Sequence, residues 1–190
     1  MNMRNTIFKP MALLFAVVLT AFTTLDKKQV DTGKSIINWT GYKVTGQHEG
    51  TITLLEGILE FNEDQLTGGS FVMDMTSINT TDLEGDYKNK LDGHLKADDF
   101  FGVKNHPKAT LVFKSVTKNK TNYAVVGDLT IKGITNKINF DLAVSGNTAT
   151  TSLKVDRTKY GIKYGSASFF DGLKDKAIYD DFDLKVSLKF

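Results

Sequence analysis

The last ten residues of the chain alternate without a break. Phe182, Leu184, Val186, Leu188 and Phe190 are apolar, while Asp181, Asp183, Lys185, Ser187 and Lys189 are polar. Successive side chains of a strand point to opposite faces, so a period of two predicts a strand with one face buried and one in water. The pattern recurs upstream. Tyr123, Val125, Gly127, Leu129 and Ile131 alternate with Ala124, Val126, Asp128, Thr130 and Lys132, and Ile138, Phe140, Leu142 and Val144 with Asn139, Asp141 and Ala143. Phe71, Met73 and Met75 face away from Asp74 and Thr76, and shorter stretches at 35–44, 50–55, 58–62, 110–117 and 150–156 read as further strands. Turn signals at Glu56-Gly57, Leu66-Thr67-Gly68-Gly69, 118–122 and Ser145-Gly146-Asn147 separate neighbours by short loops, which predicts hairpins and an antiparallel meander. The chain is therefore all-β, with eight or nine strands. Closing into a barrel hides both sheet edges; a two-sheet sandwich is the alternative.

Two stretches depart from the alternation. Thr81-Asp82-Leu83-Glu84 has the spacing of a capping box, and Tyr87, Leu91 and Leu95 follow as one apolar stripe of a helix. Lys88, Asn89 and Lys96 fall on its other face and His94 on the border. This predicts one helix after the third or fourth strand, plugging or flanking an end of the barrel. Arg157 to Ala177 contains Gly161, Gly165 and Gly172 with the apolar group Phe169, Phe170 and Leu173. It is too glycine-rich for a long helix and reads as a long loop or a lid with one helical turn before the last strand.

The N-terminus has a different character. Arg4 and Lys9 are the only charged residues before Asp26, and Met11 to Phe22 is an uncharged apolar run. That run is short of the ~20 residues a spanning helix needs and suits a secretory signal. Residues 1–23 are read as a signal peptide and 24–190 as a single domain, with an uncleaved anchor as the alternative; no clean A-x-A cleavage triplet is present. The chain as a whole has 24 Lys and Arg against 22 Asp and Glu, and Arg4 and Lys9 account for the entire +2. A domain with balanced charge lacks the clustered excess of Lys and Arg that phosphate backbones require, so no nucleic-acid partner is expected. Stable membrane insertion after leader cleavage is not expected either. The predicted location is periplasmic or secreted.

No catalytic constellation emerges. With no Cys, thiolate chemistry, disulfides and lipobox attachment are excluded. His48, His94 and His106 have no mutual spacing that would place two on one face, no G-x-S-x-G elbow or phosphate-binding glycine loop occurs, and Asp181 and Asp183 should point outward into water. No catalytic residue, metal or cofactor is predicted. What remains is the interior. Phe61, Phe71, Met73, Met75, Phe113, Phe140 and Phe182 are inward candidates in a chain with 13 Phe. A barrel of about eight strands can enclose one small ligand or be filled by its own side chains, and both readings stay open at this point.

Four ordered segments resemble the YceI-like, polyisoprenoid-binding proteins. They are Ser35-Ile36-Ile37-Asn38-Trp39-Thr40 with Gly46-Gln47-His48-Glu49-Gly50; His94 to Phe101 with Asn105 to Thr110; Gly127 to Thr135; and Asp156-Arg157-Thr158-Lys159-Tyr160-Gly161. The resemblance spans essentially the whole chain after the leader. It implies an eight-stranded antiparallel lipocalin-like barrel, exported, holding an isoprenoid or other long-chain lipid in its tunnel, and it supplies no catalytic residues.

On this reading Trp39, Phe71, Met73, Met75, Phe113, Phe140 and Phe182 contact the chain. A pyrophosphate head would need donors at the mouth, and Arg157 is the one Arg beyond the leader. Arg157 is thus the first head-group candidate, with a loop-pinning ion pair to Asp156 or Asp128 as its alternative role. His48 and His94 are second candidates, alternatively turn partners. Two rival functions stand beside the carrier: an enzyme acting on such a lipid at the mouth, and a solid β-domain used for protein interaction. Neutral charge also permits a homodimer.

Overall fold

The computed structural model describes residues 25–190; the leader reading at 1–23 lies outside the described residues. Nine strands and one helix follow in order: β1 (Leu25–Gln29), β2 (Ile36–Lys43), β3 (Gly46–Asn62), β4 (Gln65–Thr80), α1 (Gly85–Lys96), β5 (Lys108–Asn119), β6 (Asn122–Ile131), β7 (Ile134–Ser145), β8 (Thr148–Asp156) and β9 (Ile178–Lys189). From β2 to β9 each strand pairs antiparallel with its sequence neighbours, and β9 returns to β2 with Ile36 opposite Ser187 and Trp39 opposite Leu184. That last ladder closes the sheet. β1 lies along the second half of β3, Leu25 opposite Asn62, and so extends the wall position that β2 occupies along its first half. The result is a closed eight-stranded antiparallel barrel, not a sandwich. α1 comes after β4, and the long segment before β9 holds two short 3-10 turns, Arg157–Tyr160 and Lys174–Lys176.

Two expected turns are strand interior. Glu56-Gly57 lies within the 17-residue β3, where the register slips between Leu54 and Glu56. Leu66 to Gly69 lies within β4, and the chain reverses one step earlier, at Glu63-Asp64. Glycine serves here for close approach rather than for turning. A Cβ on Gly57 would stand 2.9 Å from the Val30 side chain, and one on Gly69 would stand 2.9 Å from the Phe113 ring.

The helix also differs from its expected start and attachment. Glu84 precedes α1 without capping it through its side chain. Thr81 and Asp82 turn instead to β3, where the Glu49 carbonyl accepts from the Thr81 amide at 2.9 Å and Asp82 accepts from the Glu49 amide at 3.2 Å. Tyr87, expected on the buried stripe, is 75% exposed, and no α1 residue is fully buried. Polar groups dock the helix. The Thr80 amide donates to Asp92 Oδ1 at 2.8 Å, while Lys88, expected on the outer face, donates to Asn79 Oδ1 at 2.7 Å and to Asp92 Oδ2 at 2.5 Å. Leu95 is the helix residue that reaches the interior. The following segment is tied down by Lys132, whose ammonium donates to the carbonyls of Asp98 at 2.6 Å and Phe100 at 3.0 Å.

Inside, apolar side chains form two clusters. One sits at the hairpin end, around Leu59, Phe61, Leu66, Tyr123, Leu142 and Leu188. The other lies beneath α1, around Trp39, Met75, Ile78, Phe100, Tyr160 and Ile162. β4 bends near Asp74, whose carboxylate accepts from the Thr76 amide and hydroxyl; beyond the bend Met75 and Ile78 are buried.

Burial raises the Asp92 carboxyl, but hydrogen bonds from Lys88 and Thr80 outweigh it and hold the group below its ordinary value. A carboxyl with a lowered folded-state pKa stabilises above its unfolded value, near 3.8, and loses that contribution as pH falls through the folded value. Protection of the amides in 85–96, taken relative to their intrinsic exchange rate at each pH, should therefore hold above about pH 4 and fall as the medium is acidified further. Asp92→Asn, which loses the charge on Lys88, should show the faster exchange at neutral pH and cost about 1 kcal/mol in denaturant unfolding.

Candidate functional site

The space between the two clusters is hollow. A first chamber of about 110 Å³ lies under α1, walled by Trp39, Met73, Met75 and Phe182 from the barrel and by Leu95, Phe100 and Phe101 from the cap. A second, of about 80 Å³, lies deeper, walled by Phe71, Met73, Phe113, Phe140 and Leu153. The two meet at Ile37, Met73, Leu129 and Leu184, which line both. Either volume exceeds the ~10–15 Å³ that admits one water, yet the walls offer water almost nothing to bond. Hydrocarbon matches such a surface. Phe71 and Phe113 tilt against each other at 5.4 Å between centroids, and Phe113 meets Phe140 edge-on at 5.8 Å. Met73, unbranched and flexible, is the side chain best able to move between the two compartments.

The first chamber reaches solvent beside Gly41, Tyr42, Tyr179 and Asp181. There the β2–β9 register slips between Gly41 and Lys43, and Tyr179 is 54% exposed. The Lys154 ammonium, 5.8 Å from the Tyr42 ring, is already engaged: it donates to Asp183 Oδ1 at 2.8 Å, and the Tyr42 hydroxyl donates to Asp183 Oδ2 at 2.7 Å. Those two bonds hold the Asp183 carboxyl below its usual value.

Arg157 also lines the first chamber, but its side chain is almost wholly buried and its donors are turned to the backbone. Nε donates to the Tyr179 carbonyl at 3.0 Å, Nη1 to Ile162 at 2.8 Å and Nη2 to Ile178 at 3.0 Å. The guanidinium sits over the Phe100 ring at 5.6 Å and 3.8 Å from Asp180 Oδ1. Burial lowers its pKa, and the charges of Asp180 and Asp156 oppose that. The alternative partners named from the sequence are occupied otherwise, Asp156 by the Thr158 amide at 2.9 Å and Asp128 by Lys114 at 3.6 Å. Arg157 thus joins the turn after β8 to the start of β9, and with them the roof of the first chamber.

The two histidines lie off the chamber walls. His48 Nδ1 is 2.9 Å from Asp82 Oδ2, on the seam between β3 and the segment before α1. His94 packs edge-on against Tyr164 at 4.4 Å and Phe100 at 5.5 Å, joining α1 to the segment before β9. His94 and Arg157 therefore share Phe100, whereas His48 stands apart. Tyr160, buried beside them, has its hydroxyl pushed up to about 12 by burial and stays protonated. Wall residues not named from the sequence as lipid contacts include Phe100 and Phe101, which lie in no periodic element, and Ile37, Leu129 and Leu184, the last two of which belong to alternating faces already read as buried. Among the described residues no three His, Asp or Glu side chains converge to hold a metal ion, and no helix is long and apolar enough to cross a membrane.

The profile of the YceI-like domain matches residues 28–190. The chain belongs to the YceI-like family. A UPF0312 protein of Staphylococcus aureus strain bovine RF122 / ET3-1 is 35% identical over 136 residues, which is 66% of this chain and 72% of the relative. Among solved structures, Burkholderia cenocepacia BcnA aligns with a TM-score of 0.67 at 21% identity, covering 84% of this chain and 98% of BcnA. A polyisoprenoid binding domain from Saccharophagus degradans aligns with a TM-score of 0.60 at 14% identity, covering 87% and 97% of the two chains. At these identities the structural likeness establishes the YceI-like barrel fold.

Removing the guanidinium would take the donor from the buried Ile162 carbonyl and from the part-buried Tyr179 and Ile178 carbonyls, a buried carbonyl left unpaired costing about 1–3 kcal/mol and the other two less. Arg157→Ala should therefore speed amide exchange across 157–179 and lower stability by roughly 3 kcal/mol. Arg157→Lys should recover little of this, because one ammonium cannot reproduce the three-way fork.

Proposed function

We propose that this YceI-like protein is a carrier or sequestering protein that holds one long-chain amphiphilic lipid, an isoprenoid or a similar chain, inside the barrel. The observation that carries the reading is the pair of apolar chambers meeting at Ile37, Met73, Leu129 and Leu184. The polyisoprenoid binding described for the Saccharophagus domain supports it by kinship of fold. Each buried methylene contributes about 0.8 kcal/mol, so ten give about 8 kcal/mol before the cost of ordering the chain is subtracted. Binding of that kind needs length and apolarity rather than directional contacts. Trp39, Phe71, Met73, Met75, Phe113, Phe140 and Phe182 hold the chain, and Arg157 keeps the roof in place above it. His48 and His94 fasten the cap and do not touch the lipid.

The leader at 1–23 directs export, which puts the working protein in the periplasm or outside the cell as a binding protein rather than an enzyme. A carrier should leave the cell loaded. Expressed with its leader and examined by native mass spectrometry, the protein should carry a stoichiometric long-chain adduct that organic extraction removes. A leader-cleaved protein that arrives without adduct and takes up no added polyprenol would contradict the reading.

A further inference from the structure

The barrel wall is not laddered to an equal extent around its circumference. β7 pairs with β6 along ten positions, and β8 with β9 along nine, yet β7 and β8 pair only at Ala143–Thr150, Val144–Ala149 and Ser145–Thr148. Among the described residues no further register pair joins them. The Thr151 hydroxyl reaches across to the Asp141 carbonyl at 2.7 Å at one end of the gap, and the Asn136 amide reaches the Lys159 carbonyl at 2.9 Å at the other. Between those two bridges the strands part. Ile138 and Leu153, whose side chains point inward and line the second chamber, are only half-buried.

A groove of about 490 Å³ lies on the outer surface here, lined by the polar residues Asn38, Asn122, Asp141, Thr150, Ser152 and Lys185 together with the apolar Ile36, Ala143 and Val186. Thr151 and Val186 line both this groove and the second chamber, so the wall between them is one side chain thick. Outside, amides, hydroxyls and one charge of each sign stand among a few apolar side chains; inside is hydrocarbon alone. An amphiphile lying across such a boundary has its polar end outward, since each methylene moved out into the groove would lose about 0.8 kcal/mol. At the mouth beside Tyr42, Arg157 and Lys154 are committed to protein acceptors, and Lys43 stands next to Tyr42 on β2.

We propose that the gap between β7 and β8 seats the polar head of the bound lipid, with its chain running inward through both chambers toward α1. This rests on the lipid-carrier reading. The groove's matched Lys185 and Asp141 suit a neutral or zwitterionic head rich in hydrogen-bonding groups, not a multiply charged one.

The absence of Cys allows a single label to be placed at will. Asn139→Cys sets a bimane on the exposed face of β7 beside the gap, and Lys43→Cys sets one beside Tyr42 at the mouth. Each is titrated with a lysophosphatidylcholine carrying a nitroxide either in its choline head or at the end of its chain, with occupancy read by native mass spectrometry. The head-labelled lipid should quench the bimane at 139 and leave that at 43 bright; the tail-labelled lipid should do the reverse. Occupancy with the opposite pattern, or with no difference between the two labels, overturns the assignment of the head to the gap. A protein that takes up neither this lipid nor an added polyprenol overturns the carrier reading, and the head-group proposal falls with it.

Discussion

Everything inside this molecule depends on the ladder between β2 and β9. Without it the sheet would be an open meander with two unpaired edges and no interior to protect. With it, every inward side chain faces a common axis. The ladder is also imperfect where imperfection is useful. Its register slips between Gly41 and Lys43, and the first chamber meets solvent there. Closure thus creates the cavity, and a local failure of closure opens it.

A second division of labour separates chemistry from position. The interior is apolar almost throughout, while the cap above it is fastened by polar contacts: Asp92 with Thr80 and Lys88, Lys132 with the Asp98 and Phe100 carbonyls, and Arg157 with three carbonyls around the start of β9. Apolar packing alone would leave α1 free to slide, since none of its residues is fully buried. Hydrogen bonds with fixed geometry hold it in one place over the chamber. Charged residues here act on the frame, and the ligand surface is left to carbon.

How much of this could be read from the residues follows from the physics of each signal. The alternation in 182–190 and 123–131 specified both the strands and the face they bury, because period two admits one geometry. Phe71, Met73, Phe113, Phe140 and Phe182 fell on inward faces for the same reason and do line the chambers. Glycine misled at Glu56-Gly57 and Gly68-Gly69. A missing Cβ suits a turn and a close approach equally, and only the tertiary neighbours Val30 and Phe113 distinguish them. The capping box misled because Thr81 and Asp82 can satisfy β3 as readily as a helix end. Arg157 stood out as the lone Arg beyond the leader, but sequence cannot show that a chain reversal would bring three carbonyls around it. Phe100 and Phe101 carried no periodicity and became visible only as part of a resemblance.

The chain has a single tryptophan, Trp39, and its ring lies in the wall of the first chamber, 8% exposed. Its emission reports directly on whether a hydrocarbon chain occupies that space. Titration with a long-chain alcohol brominated along its chain should quench Trp39 saturably, and unbrominated polyprenol should restore the emission by competition. Uptake of the brominated alcohol with Trp39 emission unchanged would place the lipid outside the barrel and contradict the account.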